Sequence, residues 1–428
     1  MKLLVRKSRL AGEVEMPASK SHTIRAVAIA SLAAGSSTIR GPLVSDDTLA
    51  AVDCYRALGA AINTSEAKTW KLTGTGGNIH APSETIDVHN SGTTLRIAIG
   101  SAALAQPGAV TTFTGDEQIQ ARPVAPLMNS LNELGAKCTS LNSNDKAPLA
   151  VTGQLIGGKT SIAATTSQYL SSLLLCTPLA KKDTQINVTL LNEPDYVQMT
   201  LDWLDSQGIQ YENQDFRRFK IKAGQSYKPF DAAISADFSS ATFFLCGAAL
   251  AGDEVTLHGL DLTDSQPDKA VIAYLRAMGA NITIGSEGVT VRTSRLKGTE
   301  IDMNRTPDAL PAMAVTAAFA EGTTRLINVP QARAKETDRI KCMAEELKKM
   351  NVDTEELPDG LIINHSKPTA AQLDGRSDHR IVMALSLAAM AIEGQCTIDT
   401  AQAVSVTFPN YVDLMRSLHA DMKLLDDN

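Results

Sequence analysis

The sequence is short of several things, and each shortage removes a class of function. Basic residues do not outnumber acidic ones: 40 Lys and Arg stand against 47 Asp and Glu, a formal net charge of -7. Binding of nucleic acid, which relies on a positive surface, is therefore disfavoured. Aromatic residues make up 4% of 428 positions, too few for base-stacking platforms. No apolar run approaches the roughly 18 residues of a membrane span. The opening Met1–Lys7 lacks the apolar stretch of a signal peptide. The expected setting is the cytoplasm, with no membrane partner. Six cysteines, at 54, 138, 176, 246, 342 and 396, include no CxxC pair. They read as reduced core thiols, and neither zinc nor any other metal is expected. No GxSxG elbow and no HExxH site occur.

What is present is an ordinary globular composition, 43% apolar and 20% charged, at a length suited to about two or three domains. An internal repeat organises it. Tyr55–Ile62, Leu131–Cys138, Leu204–Tyr211 and Leu275–Ile282 resemble one another, with weaker copies at Leu347–Thr354 and Met415–Met422. Each reads as a helix end, a C-cap at Gly59, Gly135, Gly208, Gly279, Asn351 or His419, and then a strand. A second series runs in the same period, of about 70 residues. Ser19–Arg25, Asn90–Arg96, Thr166–Gln168, Asp237–Ser240, Thr306–Asp308 and Ser377–Arg380 each read as a polar helix start. Each leads into a run of Ala, Leu and other small residues, apolar nearly all round and hence buried. The unit is a buried helix, a strand, an amphipathic helix and further strands. Six units fit the length, most economically as two domains of three.

Charge is placed with the same period. Lys20, Arg25, Arg96 and Arg380 fall at buried-helix starts. Arg122 lies in Gly115–Pro123, and Arg333, Lys335 and Arg339 crowd into Gln331–Arg339, where Lys335 onward is read as helical. One such cation is most simply a solvated surface charge. A helix N-terminus, however, already favours anions. Cations recurring there in an acidic protein point to an electropositive cleft for phosphate or carboxylate ligands. Asp308 and Glu336 are the acid–base candidates, against the plainer readings of an N-cap and an ion-pair partner. His22 and His379 are read as structural hydrogen-bonders. The stretch Gly153–Thr160 has the look of a P-loop. Taken with Gly157 as its second glycine it falls one residue short, and no clear helix follows, so it is read as a turn between strands.

Ser19–Arg25, Asn90–Arg96, Pro307-Asp308, Arg333–Arg339 and Asp378–Arg380 together resemble the 5-enolpyruvylshikimate-3-phosphate synthase family, in the family's order and over essentially the whole chain. The resemblance implies an α/β fold of two similar domains, each of three βαβαββ repeats with buried helices, the inside-out α/β barrel of enolpyruvyl transferases. Residues 1–18 with 236–428 would form one domain and 19–235 the other, with the active-site cleft between them and closure on the substrates. It also implies the reaction: the enolpyruvyl group of phosphoenolpyruvate passes to the 5-hydroxyl of shikimate 3-phosphate, by addition and then elimination, on the shikimate pathway to aromatic amino acids. No cofactor is needed. A monomer inhibited by glyphosate is expected, since Gly92 is unsubstituted.

Matched by position, the resemblance assigns Lys20, Ser21, Arg25, Thr166, Ser167, Gln168, Tyr196, Asp308, Gln331 and Lys335 to shikimate 3-phosphate. It assigns Lys20, Gly92, Arg122, Gln168, Arg339 and Arg380 to phosphoenolpyruvate. Asp308 would be the base toward the 5-hydroxyl and Glu336 the proton donor to the methylene carbon, with Lys20 or Lys335 assisting. One departure stands out: where many relatives have Ser-Arg/Lys-Pro-Tyr, this chain has Glu193-Pro-Asp-Tyr196. An acidic residue there would repel phosphate unless turned away. Three rivals remain. A UDP-N-acetylglucosamine enolpyruvyl transferase would usually carry a reactive Cys in the loop at 113–122, where this chain has none. An RNA 3′-phosphate cyclase is opposed by the acidic balance and the missing nucleotidyl-transfer His motif. A non-catalytic anion-binding repeat protein would need neither Asp308 nor Glu336.

Overall fold

The computed structural model describes residues 1–286 and 288–426. The chain forms two compact units, Met1–Pro17 with Ser235–Asn428 and Ala18–Ile234, so it passes between them twice.

In the second unit the helices are α1 (Lys20–Leu32), α2 (Asp46–Ala57), α3 (Gly92–Ala102), α4 (Glu117–Ala121), α5 (Ala125–Glu133), α6 (Ser167–Cys176) and α7 (Pro194–Ser206). In the first they are α8 (Phe238–Ala251), α9 (Ala270–Ala277), α10 (Leu310–Phe319), α11 (Arg339–Lys349), α12 (His379–Met390) and α13 (Tyr411–Ser417). The helices α1, α3, α6, α8, α10 and α12 are those expected to be buried, and nearly every residue in them is. Past the first turn or so they carry no charge, so no face prefers water. In the first unit α8, α10 and α12 pack on one another, and in the second α3 packs on both α1 and α6. Each unit has its own apolar core.

Among the described residues, six four-stranded sheets enclose these helices. In the typical sheet, the strands before and after the buried helix pair in parallel, as a crossover helix requires. Ile86–Asp87 thus lies beside Val110–Thr114 across α3. A following hairpin adds two antiparallel strands, Lys137–Ser140 and Leu149–Thr152, of which the latter pairs with Val110–Thr114.

Two sheets depart from that order, and their departure makes the two-unit chain. The strand before α1, Leu10–Glu15, pairs with Gly252–His258 after α8. The strand before α8, Asp231–Ala233, pairs with Ser36–Arg40 after α1. The last repeat is completed from the other end of the chain: Lys2–Arg6 lies between Gln395–Asp399 and Met422–Leu425.

The second repeat series is visible in the backbone. Gly59, Gly135, Gly208, Gly279, Asn351 and His419 all take positive φ, from 63° to 106°. That is the left-handed C-cap expected of them. Two readings change. Gly153–Thr160 does meet the GxxxxGK[ST] spacing when Gly158 is taken as the second glycine. What excludes a P-loop is that Gly158–Ala164 is a strand, leaving no helix N-terminus to receive phosphate. And α11 begins at Arg339, not Lys335. Pro330–Ala334 forms a 3-10 turn, and Asp338 caps α11 by accepting from Lys341 N at 3.0 Å.

Leu3 and Val5 are fully buried in the strand that closes the last repeat. Leu3→Ala should therefore cost about 2–5 kcal/mol. Chemical unfolding followed separately for each unit checks this, with the loss falling on the unit that contains residues 235–428.

Candidate active site

The polar ends of the buried helices hold the candidate residues, divided between the units. The second unit holds Lys20, Ser21, Arg25, Gly92, Arg122, Thr166, Ser167, Gln168 and Tyr196. The first holds Asp308, Gln331, Lys335, Glu336, Arg339 and Arg380. Each expected substrate set draws on both.

In the second unit the helix starts are joined by side chains. Ser19 caps α1, and Lys20 Nζ donates to Asp47 Oδ2 at 2.7 Å, linking α1 to α2. Gln168 Nε2 donates to Thr93 Oγ1 at 3.1 Å, linking α6 to α3. Arg25 is 2% exposed, and its acceptors are Thr200 Oγ1 (2.9 Å), Ser21 O (3.0 Å), Tyr196 O (3.0 Å) and Ser171 Oγ (3.5 Å). These are hydroxyls and carbonyls, none a carboxylate. Burial lowers its pKa to about 10, which is the cost of holding a cation without a counter-ion. At Gly92 two more guanidiniums converge. A Cβ there would stand 2.5 Å from Arg96 Nη1 and 2.7 Å from Arg122 Nη1. Only a residue without a side chain leaves them that space. This half therefore gathers cations toward positions suited to anions.

Thr166 was expected to cap α6, but its side chain makes no cap bond. The cap comes from Glu193, whose Oε2 accepts from Ser167 N at 3.1 Å, Ser167 Oγ at 2.7 Å and Thr166 Oγ1 at 3.3 Å. His22 accepts from Trp203 Nε1 at 3.0 Å, in keeping with a structural histidine.

The first unit differs in kind. Arg339 is fully buried, and its guanidinium is ringed by carboxylates. Its Nε and Nη2 donate to Asp378 Oδ2 (2.8 Å) and Oδ1 (3.2 Å). Its Nη1 donates to Asp308 Oδ1 at 2.7 Å, and its Nη2 also donates to Glu336. Arg380 Nη2 pairs with Asp308 Oδ2 at 3.0 Å, and Lys335 Nζ lies 3.8 Å from Asp308 Oδ1. Asp308 is thus no N-cap: it sits in the 3-10 turn Pro307–Ala309 with its carboxylate among three cations. Burial raises its pKa, but Arg380, Lys335 and Arg339 outweigh this and hold the carboxyl well below the usual range. The sequence did not show that these cations already have carboxylate partners of the protein, in Asp308, Glu336 and Asp378. Gln331 donates from Nε2 to Asn304 O at 2.8 Å, while its buried Oε1 has no hydrogen-bond partner. Arg333 is structural, tied to Asp338, Glu356 and the carbonyls of Leu357 and Pro358.

The chain matches the family model for EPSP synthase (3-phosphoshikimate 1-carboxyvinyltransferase) over residues 5–415. A 3-phosphoshikimate 1-carboxyvinyltransferase of Acetivibrio thermocellus is 52% identical to it over 422 residues, covering 99% of each chain. The chain belongs to the EPSP synthase family. It is accordingly a transferase, and transfer of the carboxyvinyl (enolpyruvyl) group is the family's reaction. The solved EPSP synthase of Acinetobacter baumannii is similar at a TM-score of 0.82 and 25% identity, covering 99% of this chain and 100% of that one. The enolpyruvyl transferase NikO of Streptomyces tendae shares the fold at a TM-score of 0.81 and 19% identity, covering 100% of this chain and 99% of that one. The two-unit α/β architecture is thus that of this group, and the UDP-sugar, cyclase and non-catalytic alternatives are not favoured.

Two participants escaped sequence reasoning. Asp378 lay inside a recognised motif without a role. Asp47 gave no local signal, because it meets Lys20 across 27 residues. Glu193 was marked as a departure from the family pattern, but its capping of α6 was not foreseen. Among the described residues no helix is long and apolar enough to cross a membrane, and no group of three His, Cys, Asp or Glu is arranged for a metal ion. A groove of about 480 Å³ lined by Lys159, Tyr211 and Lys222 contains none of the candidate residues.

Two outcomes follow from the Arg339 cluster. Arg339→Leu should destabilise by about 3–5 kcal/mol, because it strands buried carboxylates. Adding Asp378→Asn should restore part of that loss in urea unfolding. A depressed folded pKa also means that Asp308 contributes stability fully above its unfolded value, about 3.9. That contribution is lost as pH falls below it. Asp308→Asn should therefore flatten the acid side of the stability–pH curve below about pH 4, measured from unfolding midpoints.

Proposed function

We propose that both clusters serve one reaction, the transfer of the enolpyruvyl group from phosphoenolpyruvate to the 5-hydroxyl of shikimate 3-phosphate. The observation that carries this is the single guanidinium of Arg339, which holds Asp308 and Glu336 side by side as a candidate base and acid. Asp308 takes the proton of the 5-hydroxyl as its oxygen adds to C2 of phosphoenolpyruvate. Glu336 gives a proton to C3, with Lys20 or Lys335 assisting. Loss of a C3 proton and of phosphate from the tetrahedral intermediate then yields the enol ether. As long as Arg380, Lys335 and Arg339 face it alone, Asp308 is a weak base. A substrate carboxylate or phosphate bound to those cations would offset them and raise its proton affinity.

The remaining roles follow the charge pattern. Arg25, Ser21, Thr166, Ser167, Tyr196, Gln331 and Lys335 bind shikimate 3-phosphate. Arg122, Arg339 and Arg380, with the space at Gly92, take phosphoenolpyruvate, and Lys20 and Gln168 touch both. A cytoplasmic monomer open to glyphosate at the phosphoenolpyruvate positions completes the reading.

Phosphate release from phosphoenolpyruvate tests it. Release should require shikimate 3-phosphate, and glyphosate should suppress it at low phosphoenolpyruvate. Asp308→Ala should lower kcat by about 10²–10⁴ while calorimetry still detects shikimate 3-phosphate. Release with UDP-N-acetylglucosamine alone would overturn the substrate; full turnover by Asp308→Ala would remove the base.

A further inference from the structure

The donors at the start of α6 are among those assigned to shikimate 3-phosphate, yet an anion of the protein already holds them. Glu193 is 1% exposed. One oxygen of its carboxylate collects Ser167 N–H, Ser167 O–H and Thr166 O–H. The first turn of α6 has no acidic residue of its own, so its free N–H groups and dipole favour an anion from elsewhere. Glu193 delivers one from the start of α7, with its backbone in the left-handed region at φ 58° and ψ 50°. That conformation is uncommon for a residue with a side chain and persists where surroundings enforce it. Here they do. Asn192 N donates to Ala164 O at 3.0 Å, Asn192 Nδ2 to Thr165 O at 3.2 Å, and Tyr196 N to Glu193 O at 3.1 Å. The backbones on both sides are pinned together, so freeing the donors calls for a turn of the Glu193 side chain rather than a shift of the backbone.

We propose that Glu193 is an internal competitor for the substrate's phosphate, holding the Thr166 and Ser167 donors in the unliganded protein and releasing them when a phosphate-bearing ligand enters. The proposal rests on the reading of shikimate 3-phosphate as substrate. A carboxylate and a phosphate cannot use the same three donors, and at hydrogen-bonding distance their charges repel. Binding therefore includes the cost of turning Glu193 away. Apparent affinity falls by the fraction of molecules in which it has turned. The competition also sets specificity: a ligand without phosphate has no need of these donors and is not penalised. The carboxylate meanwhile keeps Thr166 and Ser167 in the arrangement a phosphate will use.

Calorimetry on the full chain, with shikimate 3-phosphate and with unphosphorylated shikimate as probes, tests this in Glu193→Gln and Glu193→Ser. In both variants the dissociation constant for shikimate 3-phosphate should fall about tenfold, while that for shikimate stays within about twofold. The KM for shikimate 3-phosphate should fall with it and the KM for phosphoenolpyruvate should not. An unchanged or higher constant for shikimate 3-phosphate would overturn the proposal, as would an equal shift for both probes, which would mark Glu193 as structural only. Glu193→Gln keeps the side chain's shape and decides the matter if Glu193→Ser fails to fold. Failure of the underlying reading looks different: the wild-type chain would neither bind shikimate 3-phosphate nor release phosphate in its presence, and the proposal would fall with it.

Discussion

A helix that is apolar on every side must be covered on every side. Six segments of this chain meet that description, and the rest of the structure answers it. Three such helices share the core of each unit, and three four-stranded sheets enclose them. Neither a single sheet nor an amphipathic bundle would cover a helix such as α10, in which nearly every residue is buried. The same constraint locates the chemistry. Charged groups are excluded past the first turns of these helices, so they collect near the starts, where free N–H groups need partners in any case.

The two units use that end differently. In the second, Arg25 stands among neutral acceptors and Arg96 and Arg122 converge at Gly92, while Lys20 is paired with Asp47. That arrangement suits anionic ligands. In the first, Arg339 is ringed by the carboxylates of Asp308, Glu336 and Asp378. A buried cation with several acids is poorly suited to net stability, but it orients two carboxylates on rigid elements. One half leaves a buried cation among neutral acceptors, and the other ties one to several carboxylates.

Much of this was legible in the sequence where the signal is local. The six left-handed C-caps were readable because glycine, asparagine and histidine sit at the same place after similar helices. The buried helices were readable from their composition. Boundaries governed by tertiary contacts were less so. Lys335 looked like the first residue of a helix, yet the chain stays irregular until Asp338 caps it, and that irregularity lets Lys335 and Glu336 reach Asp308 and Arg339. The carboxylate partners were harder still. Asp47 is an ordinary acid in sequence and acquires meaning only through Lys20; Glu193 stood out as a departure, but its role as the cap of α6 shows only in the fold. The strand exchange between Leu10–Glu15 and Asp231–Ala233 depends on pairings between Leu10 and Gly252 and between Thr38 and Asp231, beyond the reach of any periodicity.

The placement of Lys2–Arg6 has a consequence for synthesis. Its two neighbours, Gln395–Asp399 and Met422–Leu425, lie far downstream and are made long after it. The unit that contains this strand is thus begun before Ala18–Ile234 and completed after it, while Ala18–Ile234 is available earlier in one continuous piece. Leu3 and Val5 must wait for both partner strands to be made. For this protein the order in which sequence is made and the order in which structure can close run in opposite directions.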